Sequence, residues 1–259
     1  MELLLEIENL KYKEILENIT FSLKKNTFSI LIGSNGSGKT TLINCIRNLT
    51  KYDGNIRIFN QEIRNSNHEI YKKIGFFLEE KIVLENNAFE ELLNMLRNLN
   101  YDEDKAKKKI YSLFKKLNAT EILFKSNEEL LMYEQTLISF AFSIIHSPKL
   151  LIIDNDLEEL NQIYKNKIFD YIKSQKEITV LYVTNDEEMF NLADNLIFLS
   201  EGKIILTGNI DEVISQEKNF IKCGTKIPFM IDLSKKLIIY ELINEVELDL
   251  EKLVNKIWD

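Results

Sequence analysis

The sequence predicts an α/β fold, because segments typical of buried strands alternate with segments typical of helices. A continuous apolar run, Phe28–Ile32, leads straight into a glycine-rich loop, and a helical pattern begins near Lys39. Comparable apolar runs return at Leu150–Ile153 and Thr179–Val183. The order strand, loop, helix, followed by further sheet-like runs, predicts an α/β core.

The remaining elements follow from alternating apolar residues, turn residues and helical periodicity. The other predicted strands are Leu3–Ile7, Ile19–Leu23, Asn55–Phe59 after a turn at Asp53-Gly54, and Leu196–Leu199, with a hairpin over Ser200–Ile205. The stretch between residues 87 and 147 is predicted to be helical, and Asp102–Leu117 carries apolar residues on one face. We therefore predict a core over residues 1–86 and 148–215, a helical subdomain over 87–147 and a C-terminal tail over 216–259.

The predicted helix Asp102–Leu117 is rich in lysine. A solvated helix face is the favoured interpretation, and a membrane or partner patch is the alternative. The lysines concerned are Lys105, Lys107, Lys108, Lys109, Lys115 and Lys116.

Composition disfavours several classes of protein. The chain is 45% hydrophobic and 29% charged, as in soluble globular proteins, and its longest apolar run, Leu137–Ile145, is far too short to span a membrane. The net charge of −8 argues mildly against nucleic acid as the main partner. Cys45 and Cys223 have no metal-ligand spacing, and the N-terminus lacks a secretory signal. We therefore expect a cytoplasmic location.

The glycine-rich loop Gly33–Thr40 fits the pattern G-x-x-x-x-G-K-[ST] between a strand and a helix. Its glycines allow close approach, so that backbone N–H groups and the helix N-terminus can surround phosphate oxygens. Lys39 is expected to contact the β- and γ-phosphates of ATP, and Thr40 to bind Mg²⁺ together with Asp154 at the end of a later strand. The predicted nucleotide-binding residues of the loop are Gly33, Ser34, Asn35, Gly36, Ser37, Gly38, Lys39, Thr40 and Thr41.

These elements resemble the ATP-binding cassette (ABC) ATPases, in which two subunits sandwich two ATP molecules. Further matching segments are Ile74–Glu79, Ser147–Lys149, Glu201–Gly208 and Asp211–Val213. The resemblance implies a P-loop NTPase core of ABC type with a mixed sheet and an inserted helical subdomain. It also implies that Glu79 stands where the family has a metal- and water-contacting glutamine, and that Glu79 could bind Mg²⁺.

The C-terminal tail is similar to that of the energy-coupling-factor (ECF) transporter ATPases. The similar segments are Ile227–Met230, a helical Leu233–Leu237 and a final Glu251–Trp258. This similarity implies an importer of vitamins or transition-metal ions, in which the chain pairs with a second, more complete ATPase beneath an integral membrane subunit. The chain would then be peripheral on the inner face of the cell membrane.

Several functional positions depart from the family pattern. The glutamate that activates water is replaced by Asn155, whose amide can orient water but cannot act as a general base, and the switch histidine is replaced by Asn185. The family's serine-glycine-glycine-glutamine segment, which touches ATP of the opposite subunit, aligns with Leu131–Glu134. Bulky side chains there replace glycines, and Glu134 adds a negative charge. We therefore predict ATP binding with slow or absent hydrolysis.

Several interpretations remain open. Tyr12 is the candidate for stacking on adenine, with a core aromatic as an equal alternative, and His68 and His146 are interpreted as surface or packing residues. The alternatives to a degenerate importer subunit are a fully active transporter ATPase and a soluble ATP-dependent regulator. A kinase is disfavoured because the middle segment has only Arg97 as a lid arginine.

Overall fold

A computed structural model describes residues 2–65, 68–80, 82–155, 157, 159–184, 186–214, 216, 229–248 and 250–258. The chain forms two compact units. The first unit comprises residues 1–5, 23–26 and 57–182, and the second comprises residues 6–22, 27–56 and 183–259. The boundaries given in the sequence analysis for the core, the helical subdomain and the C-terminal tail remain predictions.

The secondary structure alternates between strands and helices along the chain. The strands are β1 (Leu3–Tyr12), β2 (Leu16–Lys24), β3 (Phe28–Ile32), β4 (Asp53–Ile58), β5 (Gln61–Glu62), β6 (Ile74–Leu78), β7 (Leu150–Asp154), β8 (Thr179–Val183), β9 (Asn195–Ser200) and β10 (Lys203–Gly208). The helices are α1 (Lys39–Ile46), α2 (Ala88–Asn98), α3 (Glu103–Leu117), α4 (Met132–Ile144), α5 (Gln162–Ser174), α6 (Ile210–Ile214), α7 (Phe229–Ile239) and α8 (Leu250–Trp258).

In the first unit, β6, β7 and β8 lie side by side as parallel strands. All of β8 is buried, and β7 is buried up to its last residue, Asp154, as continuous apolar runs predict. Helix α4 packs on β6, where the rings of Phe77 and Phe140 lie 5.5 Å apart. Gly75 permits this approach, because a Cβ there would collide with the backbone of Ser143 in α4. The sheet therefore has a helix held tightly against it.

The helical region between residues 87 and 147 is confirmed. It contains α2, α3 and α4, and among its described residues the β-structure is a single isolated bridge between Asn87 and Ser126. The apolar face predicted for α3 is buried as expected, at Ala106, Ile110, Leu113, Phe114 and Leu117. The lysine side of the same helix is largely exposed, as predicted for a solvated face.

The second unit has a mixed arrangement of strands. Strand β3 is parallel to β9, and β9 is antiparallel to β10. The predicted hairpin is confirmed: Glu201 and Gly202 join β9 to β10 with φ angles of 47° and 73°. Strands β2, β1 and β4 lie side by side in a separate sheet.

The prediction of a turn at Asp53-Gly54 is wrong. Both residues belong to β4, whereas the predicted strand began two residues later. Gly54 has a φ of 90°, and a Cβ at this position would collide with the backbone of Asn9 in β1. The glycine therefore serves the close approach of two strands rather than a reversal of the chain.

The C-terminal helices are also confirmed. Leu233–Leu237 lies within α7, and Glu251–Trp258 lies within α8. The fully buried Ser234 hydroxyl donates to the carbonyl of Glu247 at 2.8 Å and accepts from its N–H at 3.1 Å, which ties α7 to the segment before α8. Ile227, Pro228 and Cys223 lie outside the described residues.

Candidate nucleotide-binding site

The phosphate loop runs from the end of β3 to the start of α1 and packs closely on its surroundings. A Cβ at Gly33 would collide with the carbonyl oxygen of Leu199 and would lie 2.5 Å from Ser37 Oγ. Gly38 has a φ of 107°, and a Cβ there would lie 2.7 Å from a methyl carbon of Leu16. Glycine is therefore required at both positions by contact, and at Gly38 also by backbone conformation.

Lys39 lies over this loop. Its Nζ donates to the carbonyl oxygens of Gly33 at 2.5 Å and Ser34 at 3.1 Å, so the ammonium group is held against the loop backbone. Asn35 and Gly36 at the tip of the loop are exposed. The hydroxyl oxygen of Ser37 is buried inside the loop without a protein hydrogen-bond partner. The loop thus combines a fixed cation with an accessible tip, which fits the phosphates of a nucleotide.

The N-terminus of α1 lacks the side-chain cap that three other helices have. The helices α2, α3 and α5 are capped by side-chain oxygens of Asn87, Asp102 and Asn161, each of which accepts from a backbone N–H of the first turn. Helix α1 begins after Gly38, with neither a side-chain cap nor an acidic residue in its first turn. The positive dipole end of α1 therefore faces no anionic side chain of its own first turn and can attract an external anion.

Thr40 and Thr41 occupy the second and third positions of α1. Thr40 is exposed, and Thr41 is partly exposed. A hydroxyl at the start of this helix can approach a cation that is bound to the phosphates.

The two acidic residues predicted to face Mg²⁺ lie at the carboxyl end of two parallel strands in the first unit. Leu78 of β6 pairs with Asp154 of β7, and the N–H of Glu79 donates to the carbonyl of Asp154 at 3.1 Å. Asp154 is partly exposed and Glu79 is exposed. Strand pairing therefore brings these two residues together, although they are far apart in sequence.

Asn155 is held by the backbone at both ends of its amide. Its Nδ2 donates to the carbonyl of Leu78 at 3.2 Å, and its Oδ1 accepts from the N–H of Leu157 at 2.8 Å. Leu157 is buried and has a φ of 56°. The amide therefore links the end of β6 to the turn after β7, and the side chain contains no group that could accept a proton from water.

Other predicted positions have varied surroundings. Tyr12 is partly exposed at the end of β1, and the ammonium of Lys13 lies 5.2 Å from the centroid of its ring, so Tyr12 is not a fully buried core side chain.

His146 is a packing residue, as predicted: it is buried and its Nε2 lies 3.2 Å from the carbonyl of Ile74. Burial lowers the pKa of His146. Asn185 and the side chain of His68 lie outside the described part of the chain.

The segment Leu131–Glu134 lies at the N-terminus of α4, which begins at Met132. Leu131 and Met132 are exposed, whereas Glu134 is buried and paired with Lys125 at 2.8 Å. Sequence reasoning missed Lys125, because no motif marks a lysine that meets its partner only in the folded chain.

A sequence model of the family described as ABC transporter matches residues 16–157, which include the phosphate loop and Asp154. The chain belongs to the ABC transporter family. Membership implies ATP binding, and the α/β fold with its mixed strands and helices is that of an ABC ATPase. Among the described residues, none of the helices of this ABC protein is both long enough and apolar enough to span a bilayer.

The similar proteins of known sequence include several ATP-binding proteins of transporters. The energy-coupling factor transporter ATP-binding protein EcfA1 of Oenococcus oeni is 27% identical over 247 residues, covering 90% of this chain and 89% of that protein. EcfA2 of Caldanaerobacter subterraneus subsp. tengcongensis is 29% identical over 235 residues, covering 86% and 82%. The spermidine/putrescine import ATP-binding protein PotA of Borreliella afzelii is 27% identical over 226 residues, but these cover 65% of its length and 83% of this chain.

Two solved structures share the fold. The protein cbiO1 from Clostridium perfringens, described as part of the ABC transporter complex cbiONQ, has a TM-score of 0.74 and 22% identity, and the match covers 91% of this chain and all of that one. A structure described as the ATP binding subunit of an ABC transporter has a TM-score of 0.76 and 19% identity, covering 92% and 98%.

Proposed function

We propose that this chain is the ATP-binding subunit of an ECF-type importer, and that it binds Mg-ATP with impaired hydrolysis. The observation that carries the proposal is the phosphate loop, in which Lys39 is held over the loop carbonyls beside the uncapped N-terminus of α1. A helix end without its own anion favours the phosphates of a nucleotide.

The proposed Mg²⁺ ligands are Thr40 and Asp154, with Glu79 as a further candidate. Magnesium is commonly held by one or two carboxylates together with the phosphates of its nucleotide, so a dedicated cluster of protein ligands is not required. Bound in this way, the ion would neutralise charge on the phosphates. The role of the chain's own residues is to hold the phosphates through Lys39 and the loop.

Impaired hydrolysis is supported by the chemistry of Asn155. In the proposed mechanism a water molecule would need a proton acceptor to attack the γ-phosphate efficiently. The amide of Asn155 is not basic, and its donor and acceptor are both engaged by Leu78 and Leu157. Asn185, at the proposed switch position, can donate a hydrogen bond but cannot take up a proton as histidine can. ATP would then act mainly as a ligand that favours one conformational state.

The transported class and the partners are inferred from the relatives. The alignment with EcfA1 spans 89% of that protein, whereas the alignment with PotA spans 65%, which favours an ECF-type importer of vitamins or transition-metal ions over a polyamine importer. Such a subunit would pair with a second, more complete ATPase and would lie on the inner face of the membrane beneath an integral membrane subunit. The polyamine importer is the second candidate.

An exposed aromatic cluster on the helical region supports docking to a membrane subunit. Phe124 is 57% exposed and Tyr111 is 45% exposed, and their rings lie 5.2 and 5.5 Å from the ring of Phe89. Clustered exposed apolar side chains mark interaction surfaces more often than scattered ones do.

The test is affinity purification of the tagged chain from gently solubilised native membranes, with mass-spectrometric identification of the proteins that accompany it. We expect an integral membrane subunit and a second ATPase that retains the catalytic glutamate. A Phe124→Ser variant should lose the membrane subunit, while Tyr240→Ser, an exposed aromatic on the other unit, serves as the control. Recovery of the chain alone from the soluble fraction would refute the importer and favour a regulator.

A further inference from the structure

The N-terminus of α4 is occupied by a carboxylate of its own helix. Glu134 is 2% exposed, and its Oε2 accepts from the N–H of Leu131 at 3.0 Å. Leu131 precedes the helix and has no side-chain oxygen with which to cap it. The carboxylate of Glu134 is therefore the anion at this helix end, where backbone N–H groups and the helix dipole attract negative charge.

Lys125 holds this carboxylate in place. Its Nζ donates to both oxygens of Glu134, at 2.8 and 3.1 Å, and the phenol of Tyr133 donates to Oε1 at 3.3 Å. Burial alone would raise the pKa of Glu134, but the Lys125 ammonium and the Leu131 N–H outweigh it, so the pKa lies below its ordinary value. The carboxylate is thus ionised at neutral pH and has three protein donors.

Two further contacts hold the first half of α4 against Glu159 and against α5. The hydroxyl of Thr136 donates to the Glu159 carboxylate at 2.6 Å. The rings of Tyr133 and Tyr164 are stacked with their centroids 5.5 Å apart. The position of Glu134 is therefore fixed from several directions.

The N-termini of α1 and α4 differ in the charged side chains of their first turns. The first turn of α1 contains Lys39 and no acidic residue, whereas the first turn of α4 contains Glu134, which is paired with Lys125 from the segment before the helix. A second anion at the start of α4 would face the charge of Glu134 and would have to displace a buried, charge-assisted network.

We propose that Glu134 is a built-in anion that closes the N-terminus of α4 to phosphate groups, and that Lys125 is the positioning residue that keeps it there. This inference rests on the proposed pairing with a second ATPase, in which the closed helix end would leave the partner's nucleotide without a phosphate contact from this chain. An exposed apolar pair, Leu131 and Met132, would face the partner instead.

The experiment measures binding of inorganic phosphate at this helix end in the isolated full-length chain. The Lys39→Ala background removes binding at the phosphate loop, and isotope-labelled methionine methyl groups report local changes by NMR. Met132, the first residue of α4, provides the signal, which a Met132→Leu variant assigns among the five methionines of the chain. In this background we expect no saturable shift of the Met132 signal with phosphate.

Replacing Glu134 should open the site. Glu134→Ala is expected to give a saturable Met132 shift, and Glu134→Gln, which keeps a hydrogen-bond acceptor for Leu131, a weaker one. The matched control is Glu129→Ala, because Glu129 accepts from the N–H of Ser126 in the preceding turn but is exposed. It should leave the Met132 signal unresponsive to phosphate.

Three results would overturn the inference: phosphate binding with Glu134 intact, no binding to a folded Glu134 variant of either kind, or equal binding to the Glu129 control. None of these results depends on a transporter partner or on ATP hydrolysis. Failure of this inference is therefore distinguishable from failure of the proposed function, which would appear as absence of nucleotide binding at the phosphate loop or of the membrane partner.

Discussion

Asn155→Asp tests whether the Asn155 side chain is a structural link between β6 and the turn after β7. The substitution keeps the shape of the side chain and the acceptor for the N–H of Leu157. It removes the donor to the carbonyl of Leu78, which lies 3.2 Å away, and places an anionic oxygen against that carbonyl. One hydrogen bond is lost and one acceptor is left facing negative charge.

The expected cost follows from these contacts. A lost hydrogen bond costs about 1 kcal/mol, and leaving its partner unsatisfied at a partly buried site raises the total to about 2–3 kcal/mol. With a urea m-value of about 3 kcal/mol/M, the midpoint of unfolding should fall by about 0.7–1 M. Equilibrium urea unfolding followed by circular dichroism at neutral pH measures this shift.

Asn161→Asp is the matched control, because it also replaces an amide by a carboxylate, but at a position where the amide oxygen makes the hydrogen bond. Asn161 caps α5 by accepting from the N–H of Tyr164 at 3.1 Å, and an aspartate at a helix N-cap is equally effective. The midpoint should stay the same or rise. If Asn155→Asp leaves the midpoint unchanged, or if both variants lower it equally, the structural link is refuted.

Three further predictions concern the loop, the core and pH. Lys39→Ala should weaken Mg-ATP binding by about 10–100-fold in equilibrium dialysis, because a charged hydrogen-bond donor is lost. The control Lys51→Ala, which changes an exposed lysine, should bind Mg-ATP normally. Equal affinities of the two variants would contradict the assignment of this loop as the phosphate-binding site. Leu113→Ala should lower the free energy of unfolding by about 2–5 kcal/mol, because this side chain of α3 is buried. Lys115→Ala, which changes an exposed residue of the same helix, should have little effect. Similar urea midpoints for the two variants would contradict the burial of Leu113. Folding lowers the pKa of the Glu134 carboxyl below its ordinary value of 4.5. The ionised carboxylate therefore stabilises the folded state at neutral pH, and this stabilisation is lost as the pH falls below 4.5 through the folded-state pKa. Glu134→Gln should therefore flatten the acid limb of stability against pH, and an unchanged limb would contradict the ion pair.

The sequence predicted those features that depend on neighbours in the chain. The apolar run of β3 followed by the glycine loop is a local pattern, and the apolar run before Asp154 marks a buried strand in the same way. Each predicted element was therefore recognisable without knowing what packs against it. The same holds for α3, whose helical spacing identifies its buried face.

The features that were missed depend on contacts between distant or unpatterned residues. Asn155 donates to Leu78, 77 residues away, and this contact exists only because β6 and β7 pair. Lys125 meets Glu134 nine residues later, across a turn whose path no motif specifies. Gly54 was mistaken for a turn residue, since a glycine needed for close strand packing has the same sequence signal as one needed for a reversal.

Whether this chain hydrolyses its own ATP is decided by the nucleotide that it holds within its native complex. The complex, purified from membranes, is incubated with Mg²⁺ and a photoreactive azido-ATP carrying a radiolabel on the γ-phosphate, and is cross-linked after turnover. We predict that this chain retains the γ-label, and that a Lys39→Ala chain is not labelled. Loss of the γ-label from this chain during turnover would show that it hydrolyses ATP and would contradict the proposed impairment of hydrolysis.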